Sequence, residues 1–585
     1  MTYRAPVRDL AFALETAAEV GRLKDAFPDL DTEIIAAVLE HAGELASGVL
    51  APLNRIGDQQ HSRLENGKVR TPDGFADAYR QFAQGGWQSL SAEPEHGGQG
   101  LPKAVELAMF EMVNAANMAF ALCPTLTAAA IEALQIHGTE RQKALYLPRL
   151  VSGEWTGTMQ LTEPQAGSDL GQVRTMAEPD GEGGYRLTGQ KIFITWGDHD
   201  VADNIVGMVL ARTPGAPEGV KGLSLFLCCK RLVGEDGSLG EHNSARPVSL
   251  EHKMGIHASP TCVMSFEGAK AELVGGLNEG LANMFVMMNA ARIAIGVQGV
   301  GIAERAYQQA LAFAQERRQG RAPWSAEKPA AIIDHPDVRR MLAVSRAKID
   351  AARAIALSAG VAADLARRSP DEGVRKAAKL REELLTPIAK AWSSDLGIEV
   401  ASIGVQVHGG MGYIEETGAA QHYRDSRIAA IYEGTNGVQA GDLVGRKLPM
   451  ADGQAVRDLI VEMRQIAQRL EGNGELAGVA SRLRRAIDAV ERASEALIGR
   501  GPDGLAGGVS YLKLFGDTLG GALLGKMALA ASERLGGGDD AWLRGKIALA
   551  QIYAEQVLTG AEGLAEAAVA DASPLKALTP EMLGG

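Results

Sequence analysis

Cysteine is scarce, with only Cys123, Cys228, Cys229 and Cys262 in 585 residues. They form neither evenly spaced pairs nor a ligand-like array, so a disulfide framework and a zinc site are both unsupported. Cys228 and Cys229 lie in the apolar run LSLFLCC and read as buried strand residues. Positive charge is in deficit: 59 Lys and Arg face 72 Asp and Glu, a net charge of −13. Such a chain repels phosphate backbones, so nucleic acid is not an expected partner. No uninterrupted run of about 18 apolar residues occurs, so no transmembrane segment is expected. The first hydrophobic stretch carries Asp9 and Glu15 where a secretory leader needs an unbroken apolar core. A cytoplasmic protein is the expectation.

The chain is too long for one ordinary core, and several domains are expected. Hydrophobic residues at 46% and charged residues at 22% give an ordinary globular balance. Apolar residues at helical spacing, such as Ile34, Ile35, Val38, Leu39 and Leu45, predict helices over 31–56 and again over 103–137. Between them Ser91–Pro102 is a Gly- and Pro-rich loop. From about Glu154 to Val274 short β-branched and aromatic segments take over, with a hairpin turn at Pro179–Gly184 before YRLTGQKIFITW. Helical patterns return to about Leu448, broken at Gln319–Pro329 and His408–Gly418. Further helices are predicted over 455–471, 477–498, 509–535 and 539–570. The prediction is therefore mainly α with an inserted β domain. Its units are a helical domain (1–153), a β domain (154–275), a helical bundle (276–448) and an extra helical domain (449–585).

Four segments could carry chemistry. In MQLTEPQAGSDLG (Met159–Gly171) a strand ends near Leu161, and Thr162, Ser168 and the N–H groups of Ala166 and Gly167 could hold an anionic or heteroaromatic ligand. An ordinary surface loop has the same composition. In KIFITWG, Phe193 and Trp196 frame Thr195, an arrangement that suits a flat cofactor or plain core packing. In IAAIYEGTNGVQ, Glu433 follows four uncharged residues. Desolvation there would raise its pKa and make it a stronger base, and Gly434 allows close ligand approach. A helix-start Glu supporting a cap is the competing reading. In VQVHGGMGY, Gly409 and Gly410 give a turn that could touch a phosphate or simply stop a helix.

In this order the segments resemble the acyl-CoA dehydrogenase family. TEPQAGSD resembles its first signature and QVHGGMGY–RDSRIAAIYEGTNGVQ its second, with GGQGLP, GQKIFIT, KMGIHASPT and AARIAIGVQGVG in register over roughly 30–448. The C-terminal extension resembles the long subgroup, which includes 3-methylthiopropionyl-CoA dehydrogenase-like enzymes. The resemblance implies an N-terminal helical domain, a middle β-barrel-like domain and a C-terminal four-helix bundle. It implies FAD as cofactor, with Met159, Leu161, Thr162, Ser168, Phe193, Thr195 and Thr435 near the flavin. Arg317 and Gln406, Gly409 and Gly410 would reach the FAD of a neighbouring subunit, and Ser168, Arg292 and Gly434 would meet the acyl-CoA. Glu433 aligns with the catalytic base. Two subfamilies place the base instead where Ala291 stands here, which cannot serve. Met159 replaces a common aromatic, Gly437 a longer polar side chain, and His408 a phenylalanine or leucine. The implied reaction is α,β-dehydrogenation to a trans-2-enoyl-CoA in fatty acid β-oxidation, with electrons passing to an electron-transfer flavoprotein. A homodimer is implied too. The rivals are an acyl-CoA oxidase and a DNA-associated protective flavoprotein of the same fold, for which Ser481–Arg492 is the one basic stretch.

Overall fold

Apolar residues at helical spacing build the first block of the computed structural model, which describes residues 3–585. Its helices are α1 (Val7–Thr16), α2 (Thr32–Leu45), α3 (Ala51–Gln60), α4 (Phe75–Gln84), α5 (Lys103–His137) and α6 (Glu140–Val151). Local chemistry sets their starts. The Asp31 carboxylate accepts from the Ile34 N–H at α2, and Thr139 with Gln142 forms a reciprocal capping box at α6. A hairpin of β1 (Arg63–Glu65) and β2 (Lys68–Arg70) interrupts the block. The sequence predicts only helices here, because strands this short leave no periodic signal.

The middle region holds β3 (Trp155–Gln160), β4 (Met176–Pro179), β5 (Tyr185–Thr195), β6 (Asn204–Arg212), β7 (Leu223–Cys229), β8 (Arg231–Val233), β9 (Leu239–His242), β10 (Ala245–Leu250) and β11 (Thr261–Val274). β4 and β5 pair antiparallel across the predicted turn, with Pro179 opposite Tyr185. β11 pairs with β5 and β7, β7 pairs with β6, and β6 meets β4, so the sheet closes on itself as a barrel. Leu187, Ile194, Phe226, Cys228, Cys262 and Phe266 fill its interior. Cys229 points to the opposite face, as the two-residue period of a strand requires, and joins a second core with Trp155, Met159 and Leu161. All four cysteines are buried and unbridged.

The bundle comprises α7 (Gly280–Glu316), α8 (Pro336–Arg368), α9 (Glu372–His408), α10 (Ala419–Ser426) and α11 (Asn436–Asp442). Small residues set how closely α7 and α9 approach. A Cβ at Gly299 would lie 2.2 Å from the Ser393 carbonyl oxygen, and one at Gly296 2.6 Å from that of Ala389. Neither partner is a side chain that can swing away. Gly299→Ala is therefore expected to cost about 1–3 kcal/mol and lower the thermal unfolding midpoint. Gly545→Ala, where an added methyl meets nothing, is the control and should leave the midpoint unchanged or raise it.

The C-terminal region forms α12 (Gln454–Glu471), α13 (Ala477–Leu497), α14 (Gly508–Glu533), α15 (Asp540–Gln556), α16 (Ala561–Ala568) and α17 (Ser573–Ala577). The single helix expected over 539–570 is broken after Gln556, where Leu558 turns in against Gly521 of α14. This region covers the bundle. Trp392 of α9 donates from Nε1 to Asp517 at 2.9 Å, and Lys546 reaches Asp9 and Asp350, each at 2.6 Å.

Length and composition alone, though no uninterrupted apolar run is present, yield three candidate spans beside the expectation of no transmembrane segment. Thr32–Gln60, α5 and α7 are long and apolar enough to cross a membrane, with mean hydropathies of 1.4, 1.5 and 1.4. Scattered polar residues break their runs without lowering the average. In α5 and α7 the apolar surface is taken up by the protein's own core, 78% and 72% of the most apolar window being buried, against 39% for Thr32–Gln60.

Candidate active site

Two consecutive residues before α11 have left-handed backbone, Glu433 (φ 56°) and Gly434 (φ 84°). Glycine adopts this region freely, whereas a residue with a side chain is held there at a cost of about 1–3 kcal/mol. The positive φ is what requires glycine at 434, since a Cβ there would lie 2.7 Å only from Gln439 Nε2, the end of a side chain, and 3.8 Å from an Arg292 guanidinium nitrogen. Thr435 caps α11, its hydroxyl accepting from the Val438 N–H at 3.2 Å. The cap thus belongs to Thr435 and leaves the Glu433 carboxylate without a helix-starting role.

Glu433 retains some accessible surface, yet protein encloses it on enough sides to dominate its ionisation. Burial pushes its pKa up to about 7, against the pull of Arg292 and Lys390. Arg292 sits on α7, buried, and donates to Asn289 Oδ1 at 3.2 Å. Lys390 sits on α9, fully buried, and donates from Nζ to Gly434 O at 2.9 Å and to Asn436 Oδ1 at 2.8 Å. The neighbouring Tyr432 hydroxyl donates to Gln298 Oε1. A carboxylate flanked by two cations, near neutral pKa, can take or hold a proton close to physiological pH.

A second group gathers on the barrel. Met159 and Leu161 are buried, Thr162 is half-buried and Ser168 is exposed. Lys191 ties their loop to β5. Its Nζ donates to Leu161 O at 2.8 Å and to Glu163 Oε1 at 2.7 Å, and the Ile192 N–H donates to Thr162 O at 2.9 Å. Glu163 also accepts from the Arg174 and Thr175 N–H groups and the Thr175 hydroxyl. Burial works against this carboxylate, but Lys191 and the other donors hold its pKa near 2. Phe193 (φ 58°) is 59% exposed, with the half-buried Thr195 two residues on. Trp196 does not join it in a wall. Its own left-handed backbone (φ 52°) turns the indole inward, where Nε1 donates to Ala119 O at 3.1 Å. Of the two N–H groups expected to be free, that of Ala166 closes the loop onto Glu163 O at 2.9 Å, leaving Gly167's. An outward aromatic face, hydroxyls beside it and an unencumbered glycine N–H fit a flat heteroaromatic cofactor such as FAD.

The two groups meet through α7. Met159 and Leu161 share one core with Met284 and Met287, just before Arg292 on the same helix. Leu126 and Ala129 of α5 belong to the same core. Arg317, Gln406, Gly409 and Gly410 do not join them. All four are exposed at the far end of the bundle, where Phe313 stacks on His408 at 4.4 Å. With about 1.5 Å of rise per residue, Arg317 lies roughly 37 Å along α7 from Arg292. His408 ends α9 with Nδ1 on Gly404 O at 2.6 Å. Lys390, Lys191 and Glu163 were not foreseen, since a lysine in a helical run and a loop glutamate carry no local signal of their partners.

Family profiles match most of the chain: acyl-CoA dehydrogenase N-terminal domain over 37–154, middle domain over 158–269, C-terminal domain over 278–448, and acetyl-CoA dehydrogenase C-terminal like over 459–579. The chain is 49% identical to a 3-methylmercaptopropionyl-CoA dehydrogenase of Ruegeria pomeroyi, covering 95% of this chain and 96% of that protein. It is 32% identical to a butyryl-CoA dehydrogenase of Syntrophomonas wolfei, covering 98% of each. The structure of an acyl-CoA dehydrogenase from Bacillus anthracis complexed with FAD shares the fold, at a TM-score of 0.75 and 22% identity over 95% of this chain and 90% of that one.

Proposed function

Because the chain belongs to the acyl-CoA dehydrogenase family, we propose that it oxidises the Cα–Cβ bond of an acyl-CoA thioester with Glu433 as the base that takes the α-proton. The observation that carries this reading is the Glu433 carboxylate itself, uncommitted to a cap, with its pKa raised to about 7 by burial. Its backbone N–H makes no hydrogen bond within the described residues and is suited to the thioester oxygen, which gains negative charge as the proton leaves. Losing such a donor typically costs about 100- to 1000-fold in rate. Arg292 and Lys390 favour the ionised carboxylate before transfer. When bound, FAD supplies the acceptor for the hydride that leaves the β-carbon. Phe193, Thr195, Thr162 and the Gly167 N–H would hold it.

The product is a trans-2-enoyl-CoA, and the electrons go on to an electron-transfer flavoprotein. The acyl group is short and carries a thioether, a reading supported by the similarity to the 3-methylmercaptopropionyl-CoA enzyme. Anaerobic mixing with short, medium, long and thioether acyl-CoAs tests this. Bleaching of the flavin is expected fastest with 3-methylmercaptopropionyl-CoA, then butyryl-CoA. A long-chain preference would overturn the substrate assignment and leave the reaction class standing. The DNA-associated reading loses its main support. Arg482 pairs with Glu555, Arg484 with Glu471 and Arg492 with Glu562, so the one basic stretch is largely neutralised by neighbouring helices.

A further inference from the structure

Lys390 carries no proton in the transfer described above, yet it is fully buried and bonded to the turn that carries the base. Taking an ammonium out of water costs several kcal/mol unless partners compensate. Its two hydrogen-bond partners are the residues on either side of Thr435. Gly434 O accepts at 2.9 Å and Asn436 Oδ1 at 2.8 Å. Asn436 is itself fixed, donating to Asp395 Oδ1 at 2.7 Å and to Ala391 O at 3.1 Å. One side chain therefore holds the carbonyl that follows Glu433 and the amide that opens α11. Without such a hold the left-handed Glu433 could relax, because nothing in its own side chain favours that conformation.

The charge matters separately from the grip. The cations facing Glu433 are Arg292 from α7 and Lys390 from α9. Lys390 in turn faces Glu433 and Asp395, with Arg292 opposing. Burial lowers the Lys390 pKa to about 8, so most of it stays protonated at neutral pH. The helical turn that bears it is braced from outside. Trp392, two residues on, is bonded to Asp517, and a Cβ at Gly516 would lie 2.4 Å from the Trp392 ring. The C-terminal region thus buttresses the stretch of α9 from which Lys390 reaches the base.

We propose that Lys390 is a positioning residue for Glu433, clamping the Gly434 carbonyl and the Asn436 amide so that the base keeps its strained orientation, and favouring its ionised form. This rests on the reading of Glu433 as the base.

The test uses FAD-loaded Lys390→Gln, Lys390→Arg and Lys390→Met beside the parent and Glu433→Gln. Two quantities are followed against pH: the rate of flavin reduction, and the Glu433 carboxyl infrared band without substrate, assigned by its loss in Glu433→Gln. Loss of a nearby cation should move both curves upward by ~1 pH unit in the Gln and Met variants. At pH 7 the base then falls from about half ionised to about one-tenth, a ~5-fold loss of rate. Lys390→Gln should recover above pH ~8, because it still offers a donor, while Lys390→Met stays slow without the clamp. Lys390→Arg should keep the parent's curves. If Lys390→Met does not fold, the Gln and Arg variants decide alone. Curves that stay at the parent's position in Lys390→Gln overturn the proposal. Glu433→Gln reducing its flavin at the parent's rate would instead remove the base assignment beneath it, a distinct result.

Discussion

Glu433→Gln is expected to slow reduction of the bound flavin by acyl-CoA about 100- to 10,000-fold, while the purified protein stays yellow. The substitution keeps the shape of the side chain and removes only its ability to accept a proton. The turn is held by other groups: Gly434 by Lys390, and the start of α11 by the Thr435 hydroxyl. Cofactor content and unfolding midpoint should therefore stay near the parent's. The sign of the pH dependence follows from the raised pKa. Only the ionised carboxylate can take a proton, so the parent rate should climb as pH rises through about 7 and level off above it. The variant has no such group and should show no rise in that interval. Anaerobic stopped-flow mixing, read at the flavin absorbance across pH, measures both effects. A variant that bleaches as fast as the parent would place the base elsewhere.

The segment around Glu433 was legible only in part. Uncharged neighbours before it and a glycine after it suited a base and a helix-start Glu alike, and the order of the surrounding motifs, not local chemistry, favoured the base. The two ends of α5 were legible from its apolar spacing, the Pro102 before it and the Gly138 after it, though not the kink inside it at Asn117 (φ −158°, ψ 91°). The groups that tune the site were not. Lys390 meets Gly434 across 44 positions of chain, and Lys191 meets Glu163 across 28. Such pairs exist only once the bundle and barrel have closed, and no periodicity announces them. The fate of Trp196, by contrast, follows from strand periodicity. It stands three positions from Phe193, so a two-residue period puts the pair on opposite faces, one ring exposed and the other buried, and the two cannot both frame Thr195. The break after Gln556 escaped because it is set by packing of Leu558 on Gly521, with helix-forming residues on both sides.

Arg353→Met should destabilise the fold by about 3–5 kcal/mol at neutral pH, more than any surface substitution. Arg353 is fully buried on α8 and ties that helix to α7 of the bundle and to α5 of the N-terminal block. It donates to Glu111 of α5 at 2.9 Å, to Glu304 of α7 at 2.9 Å and to Asp350 of its own helix at 3.0 Å. Arg346 shares Glu304 and Asp350, and Lys546 of the C-terminal region completes the cluster on Asp350. Removing one cation leaves carboxylates that burial already penalises, above all Glu111, whose pKa is raised by burial even with Arg353 present. In the parent, burial opposes ionisation of Glu304, but Arg346 and Arg353 hold its pKa near 2, below the ordinary value of about 4. Asp350 is likewise held well below the ordinary carboxylate range by Arg346, Lys546 and Arg353 against the same burial. A depressed carboxylate stabilises the fold above its unfolded pKa and loses that contribution as pH falls. The parent should therefore weaken from pH ~4 downward. The variant moves the other way relative to it, because protonating its uncompensated carboxylates relieves the repulsion. The gap between the two unfolding midpoints should be widest near pH 7 and close as pH falls towards ~4. Urea or thermal unfolding at the two pH values reads it directly, and equal midpoints at neutral pH would show that Arg353 is not what compensates these three carboxylates.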